Sequence, residues 1–387
     1  MSNGIQIAGR CNKIFILLYL VYHFINMIQI RRAIKKITFL IIATFILGII
    51  YNALFIEAFD TPGFRGFIIK STFYTSVFMG LMIALFEIIL FKRRIVKLPF
   101  VIALLFRSLS YLAIIIISIL VSKAVVVALD SNTSFISIIH SRYMLQYILS
   151  REFLIAIPYF FLSFLFFNFT WQVSEIVGQG VFVDMMLGKY FQPKEEELIF
   201  MFVDLKSSTT IAEKMGNIDY HKLLNRFFND ISEPVNDSKG EIYQYVGDEV
   251  VIFWKMEKGI QNANCIRCFY KIDEAVHKDR KKYTKMYGFV PEFKAGLHGG
   301  KAVVGEIGMV KKDIVYHGDV VNTTSRIQKK CNDYDKRLLI SNLLLEQIIL
   351  PDFLIAEEIG DIILRGKETP VELYSIERKA DEAEKGD

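Results

Sequence analysis

Cysteine is scarce, with four in 387 residues: Cys11, Cys265, Cys268 and Cys331. That is too few for a disulfide framework, and three of them lie in the second half of the chain, which fits a reducing compartment. Cys265-Ile-Arg-Cys268 is a single CxxC without a second pair or a nearby His. It reads as two half-buried helix thiols rather than as a zinc or redox site. Acid is scarce in the first half. Residues 1–171 hold 5 Asp+Glu against 16 Lys+Arg, whereas residues 172–387 hold 36 against 30. The overall charge of +5 therefore does not describe a nucleic-acid binder. The basic excess sits in the more apolar half, where it reads as membrane topology, and no nucleic-acid partner is expected. The chain also lacks GxGxxG and GxxxxGK[ST], which excludes a Rossmann dinucleotide site and a P-loop.

Apolar residues are abundant, at 53% with 33 Phe, so a membrane part is expected. A span needs about 20 apolar residues. Segments 37–59, 72–91, 108–129 and 152–171 qualify, and predict a four-span domain over 37–171. Segment 14–30 is shorter and holds His23, Asn26 and Gln29, so residues 1–36 are expected to carry a helix lying at the interface. No small-residue cleavage site follows it. Arg31, Arg32, Lys35 and Lys36 precede the first span, and Lys92, Arg93, Arg94 and Lys97 follow the second. Basic loops stay inside, so both termini are predicted in the cytoplasm of a multi-pass inner-membrane protein embedded in the lipid bilayer. Glu87 and Lys123 sit near the ends of their spans and Arg107 borders one, which fits snorkelling to the interface.

Residues 172–195 form a junction more apolar than a linker need be, which leaves a plain linker and a helix coupling the two halves both open there. Pro193 and the charged run 194–197 mark a boundary. Beyond it, 198–203 reads as a buried strand ending in Asp204, and 209–215 and 220–231 as helices. Segments 241–246 and 249–254 read as a hairpin around Gly247-Asp248. A long helix is expected over 262–287, strands over 293–298 and 301–307 around Gly299-Gly300, a helix over 320–330 and a strand over 337–341. The pattern predicts an α+β fold with a largely antiparallel sheet over 196–377, followed by a charged tail, 378–387.

Two carboxylates stand out. Asp204 ends a strand, and Asp248 sits at a hairpin tip 44 residues later. Hard oxygen ligands at the ends of adjacent strands suit Mg²⁺ ions carrying a triphosphate. On spacing alone, Asp248 is equally a turn residue and Asp204 an N-cap. Three segments in order, Phe202-Val-Asp204-Leu-Lys-Ser-Ser208, Tyr245-Val-Gly-Asp248-Glu and His317-Gly-Asp-Val-Val-Asn322-Thr-Thr-Ser-Arg326, together resemble the catalytic domain of class III nucleotidyl cyclases. The resemblance covers about half the chain, and the helical membrane part resembles that of membrane-anchored bacterial members.

The resemblance implies a ferredoxin-like fold and a two-metal mechanism with Mg²⁺ or Mn²⁺. Asp204, Asp248 and the backbone carbonyl of Leu205 would hold the metals. Asn322 would orient the ribose and Arg326 would stabilise charge on the α-phosphate. The spacing of this pair puts both on one helix face. Arg337 and Lys367, the latter in Leu364-Arg-Gly-Lys-Glu-Thr-Pro, match phosphate-binding positions. It further implies a homodimer with two shared sites, converting ATP to 3′,5′-cyclic AMP and pyrophosphate. The purine readers depart from the family pattern: Gln244 stands where adenylyl cyclases often carry Lys, and Val315 where they carry Asp or Thr. Gln both donates and accepts, Val does neither, and Asp313 is a nearby polar substitute. A guanylyl or dual-specificity cyclase is therefore the first alternative, and a catalytically degenerate cyclase-like binding domain the second. A diguanylate cyclase is disfavoured, because Asn322 and Arg326 have no place in it.

Overall fold

A computed structural model describes residues 38, 41–55, 62–86, 99–365 and 368–379. The segment 14–30, the basic residues 31–36 and 92–97, Glu87, Lys367 and most of the charged tail lie outside the described residues. The chain divides into two compact units, Met1–Ile176 and Val177–Asp387.

The first unit is an apolar helical bundle: α1 (Ile41–Phe55), α2 (Pro62–Phe86), α3 (Phe100–Ser131), α4 (Phe135–Ile139), α5 (Arg142–Ile148) and α6 (Arg151–Val177). Among the described residues three helices are long and apolar enough to cross a membrane, at Gly66–Phe86, Phe100–Ser131 and Arg151–Ser174. The first expected span, 37–59, is described over α1, Ile41–Phe55, and the rest of it, residue 38 apart, lies outside the described residues. Helix α2 is described from Pro62, a residue tolerated in a first helical turn, and its span-forming stretch begins at Gly66, earlier than the predicted 72. Outward positions such as Leu54, Leu85, Leu162 and Phe166 are exposed and apolar, as a lipid-facing surface requires. Polar side chains bond inward instead. Asn52 Nδ2 donates to Thr72 Oγ1 at 2.7 Å, and the Thr75 and Ser122 hydroxyls meet at 2.5 Å. Lys123 does not simply snorkel: its Nζ lies over the Phe67 and Tyr147 rings, at 4.7 and 4.9 Å.

The second unit comprises α7 (Gln179–Met186), β1 (Lys194–Leu205), α8 (Ser208–Met215), α9 (Asn217–Asp237), β2 (Glu241–Val246), β3 (Glu249–Lys255), α10 (Met256–Ile260), α11 (Asn264–Lys278), α12 (Arg280–Tyr287), β4 (Phe293–Ile307), β5 (Asp313–His317), α13 (Asp319–Asp333), β6 (Leu338–Ser341), α14 (Asn342–Leu345), β7 (Leu354–Ile362) and β8 (Val371–Arg378). Eight strands form one sheet in the order β2-β3-β1-β4-β6-β8-β7, with β5 on the outer part of β4. All pairings are antiparallel except β4 with β6. This is the mixed, mainly antiparallel α+β sheet that the sequence predicted.

Alternation along β1 makes two cores. Ile199, Met201, Val203 and Leu205 pack under α9 and α11, with Phe227, Phe269 and Trp254. Leu198, Phe200 and Phe202 point the other way, into a second cluster with Val251, Tyr316 and Val320. Helix α13 lies on this second face. Gly296 of β4 admits it: a Cβ there would stand 2.4 Å from the backbone nitrogen of Gln328.

Two local expectations are corrected. Gly299-Gly300 is not a turn, because β4 runs unbroken through it, paired to β1 at Ile199↔Gly299 and Leu198↔Gly300. The helix expected over 262–287 is two helices, with the break at Asp279. Asp279 is held by Arg226 at 2.8 Å, and the redirected α12 buries Tyr283, whose hydroxyl donates to Asp230 at 2.7 Å.

Candidate active site

β1 delivers Asp204 to the edge of the second face. By alternation its side chain shares that face with Phe200 and Phe202. The register pairs Asp204 with Glu249 of β3 on one side and with Lys294 of β4 on the other. Leu205 follows, its side chain fully in the core. Asp248 comes from the β2–β3 hairpin, where Val246 pairs with Glu249 across a two-residue loop. Gly247 has φ +64° and Asp248 does not have a positive φ. A positive φ at the first loop position alone is the two-residue turn that glycine permits and that matches strand twist. The two carboxylates reach each other because β3 is the direct neighbour of β1.

The electrostatics follow. Burial pushes the Asp204 carboxyl above its usual range, the adjoining Asp248 pushes it further, and Lys294 opposes both. Glu249 is raised to about 7, mainly by burial and then by the Asp204 charge, with Lys329 pulling the other way. Asp204 Oδ2 accepts from Gln328 Nε2 at 3.1 Å and lies 3.2 Å from Lys294 Nζ. Lys294 Nζ also donates to Asn332 Oδ1 at 2.8 Å. Two carboxylates packed together and half-buried, with one ammonium against them, fit a divalent cation. Among the described residues no three His, Cys, Asp or Glu side chains converge as a metal cage. The pair therefore suits hard cations that bring oxygen ligands with them, as Mg²⁺ does on a nucleotide's phosphates.

α13 presents Asn322 and Arg326 on its free side. Asn322 is exposed and Arg326 half-buried, while Thr323, Thr324, Ile327, Gln328 and Cys331 form the buried side. Gln244 arrives by an irregularity. β2 slips by one residue between Ile242 and Gln244, so Gln244 pairs with Val251, a residue of the second face. Such a bulge re-aims a side chain, and here it turns the exposed Gln244 toward the face that carries Asp204. Val315 pairs with Gly305 on β4 and alternates with Ile314 and Tyr316, which enter the core. It thus points to the opposite side of the β4–β5 ribbon. Asp313 is exposed at the strand's start, 3.4 Å from Lys311.

Arg337 is placed elsewhere. Its Nη2 is 2.6 Å from Asp273 Oδ1 on α11, and its guanidinium lies over the Phe269 and Phe293 rings, at 5.5 and 5.3 Å. Those rings belong to the first face, so the side chain is not brought to Asp204. Lys367 lies outside the described residues. Lys294, Gln328, Asn332 and Glu249 were missed by sequence reasoning. Only strand register and the docking of α13 bring them to the aspartates, and neither is written locally.

Residues 191–378 match the model of the adenylate and guanylate cyclase catalytic domain. Adenylate cyclase 2 of Rhizobium meliloti (strain 1021) is 38% identical over 208 residues, covering 54% of this chain and 57% of that protein. Adenylate cyclase 1 of the same strain is 28% identical over 187 residues, covering 47% and 27%. The chain thus spans about half the length of the first relative and about a quarter of the second. Among solved structures, the adenylyl cyclase CyaB from P. aeruginosa aligns with a TM-score of 0.43 at 21% identity, covering 49% of this chain and 97% of that one. Residues 191–378 thus form a class III nucleotidyl cyclase catalytic domain facing the cytoplasm, preceded, among the described residues, by three helices long and apolar enough to cross a membrane.

Proposed function

We propose that the chain is a membrane-bound nucleotidyl cyclase that converts ATP to 3′,5′-cyclic AMP and pyrophosphate in a homodimer. The observation that carries this reading is the aspartate pair on the sheet's second face, together with Asn322 and Arg326 presented unspent on the outer side of α13. Asp204, Asp248 and the Leu205 carbonyl would hold two Mg²⁺ or Mn²⁺ ions, which would make the ribose 3′-hydroxyl more acidic and neutralise the phosphates. The hydroxyl oxygen bonds to the α-phosphorus as the bond to the bridging oxygen breaks and pyrophosphate leaves. Asn322 orients the ribose, and Arg326 donates to the α-phosphate oxygens as their charge grows.

The helix argues for two chains per site. At about 100° per residue, Arg326 lies some 160° around α13 from Gln328. Gln328 grips this chain's own Asp204, so Arg326 is directed away from it. Arg337 is left out of the reading, because its guanidinium is committed to Asp273.

The test is direct. Purified full-length protein with Mn²⁺ is given ATP and GTP separately, and the products are identified by mass. Asp204→Asn and Asp248→Asn should each lower turnover by roughly 10²-fold or more while the melting temperature holds. Absence of cyclic nucleotide from either substrate, or near-normal activity in either variant at saturating Mn²⁺, overturns the reading and favours a degenerate binding domain. GTP as substrate is the second reading. It rests on Gln244, whose amide pairs with either purine edge and whose bulge turns it to the aspartate face.

A further inference from the structure

We propose that Lys294 is the resident counter-ion of the aspartate pair, and that Gln328 and Asn332 hold it back so that Asp204 stays open to metal. The proposal rests on the metal-holding role given above to Asp204 and Asp248. The Lys294 side chain is only 12% exposed, and its ammonium has three donors to place. One goes to the neutral Asn332 amide at 2.8 Å, and the contact with Asp204 Oδ2 is the longer one, at 3.2 Å. Gln328 Nε2 takes the same Oδ2 at 3.1 Å. Both contacts thus fall on a single carboxylate oxygen. Gln328 and Asn332 are one helical turn apart on α13, so one element sets both restraints. Asn332 thus shares the ammonium with Asp204, and Gln328 donates to the same Asp204 oxygen that the ammonium contacts.

The arrangement gives charge and restraint opposite signs. Removing the ammonium removes a competitor for the aspartates. Lys294→Met should tighten Mn²⁺ binding, with a half-saturation lower by roughly 10-fold, because a unit charge at contact distance is lost. Removing the restraint frees the ammonium to cap Asp204. Gln328→Met should weaken Mn²⁺ binding by roughly 10-fold, the usual size for a group that orients a metal ligand. Asn332→Ala, at an exposed position, should weaken it in the same sense by about threefold. Lys294→Arg keeps the charge and should stay near wild type.

The measurement is free Mn²⁺ by electron paramagnetic resonance during titration of the full-length protein in detergent, without nucleotide and at fixed pH. Lys330→Ala, on the outer side of α13, is the control. Tightening by Lys294→Met with weakening by Gln328→Met supports the proposal, because a merely structural role would weaken both. Weakening in both, or no change in either, overturns it. If Gln328→Met does not fold, Asn332→Ala decides, and an unchanged half-saturation there overturns the proposal. Wild type that binds no more Mn²⁺ than Asp204→Asn refutes the metal site itself. That outcome is distinct from variants that all bind alike.

Discussion

Asp204→Asn in one copy of the chain and Arg326→Ala in another should restore, on co-expression, activity that neither copy has alone. The expectation comes from the orientation of α13. Its buried side is pinned over Gly296 and bonded through Gln328 to the chain's own Asp204, which leaves Asn322 and Arg326 on the far side. On the proposed homodimer reading one chain offers two half-sites, and a symmetric dimer completes both. In a mixed dimer one site collects both lesions and the other collects neither. Random pairing makes about half the dimers mixed, so roughly a quarter of all sites are intact. The assay is cyclic nucleotide formation by membranes holding differently tagged copies, with mixed dimers quantified by sequential pull-down. Activity near a quarter of wild type supports the shared site. No recovery, with mixed dimers present, would mean that Asp204 and Arg326 act within one chain, and the orientation argument would be wrong.

Three further outcomes are expected. Gln244→Lys should raise the preference for ATP and Gln244→Glu that for GTP, because Lys only donates and Glu only accepts; an ATP/GTP ratio unmoved by either removes Gln244 from the base site. Glu249 is raised from 4.5 to about 7 in the folded chain, so the metal-free protein binds the extra proton when folded and loses stability as pH rises from about 4.5 to about 7, by about 1 kcal/mol after allowing for solvent screening. Melts at pH 5 and pH 7.5 should show that loss in wild type and not in Glu249→Gln, and equal slopes would refute the assignment. Tyr190→Ala should destabilise the catalytic unit by about 3–5 kcal/mol, as a large buried ring lost from a core; a melting temperature within a degree or two of wild type would show that the ring is dispensable.

The features legible in the sequence were those written locally. The apolar run ending in Asp204, the Gly-Asp hairpin and the helix carrying Asn322 and Arg326 each declare themselves within a dozen residues, and each stands where expected. Gly299-Gly300 misled because two glycines usually mark a turn. Here pairing with twelve residues of β1 carries the strand through them. Gln244 could be named but not aimed, since its direction depends on a bulge that neither β2 nor β3 announces. Lys294 and Gln328 were invisible for a stronger reason. They lie 90 and 124 residues from Asp204 in sequence, and a one-residue slip of β4 against β1 would send Lys294 to the opposite face.

The junction segment is where local and non-local information meet. Its apolar character left a plain linker and a coupling helix both open, and the structure buries part of that apolar surface in the catalytic unit. Val181 and Met185 of α7 pack with Tyr190 into the second-face core, beside Phe200, Tyr316 and Val320. Glu306 N donates to the Tyr190 carbonyl at 3.0 Å, the Tyr190 hydroxyl donates to Glu196 at 2.9 Å, and Lys189 holds Asp184 at 2.9 Å. Tyr316 follows Val315 on β5, and Val320 opens the helix that bears Asn322 and Arg326. A close-packed core transmits displacement rather than absorbing it. α7 thus shares one core with β5 and with the start of α13, the two elements that present Val315 and the Asn322/Arg326 pair. By contrast, Asp204 stands on the central strand β1, paired on both sides, and Asp248 at the tip of the neighbouring β2–β3 hairpin. The residues proposed to hold metal thus sit on β1 and the adjoining hairpin, and those proposed to orient the nucleotide on the helix whose first turn shares a core with α7.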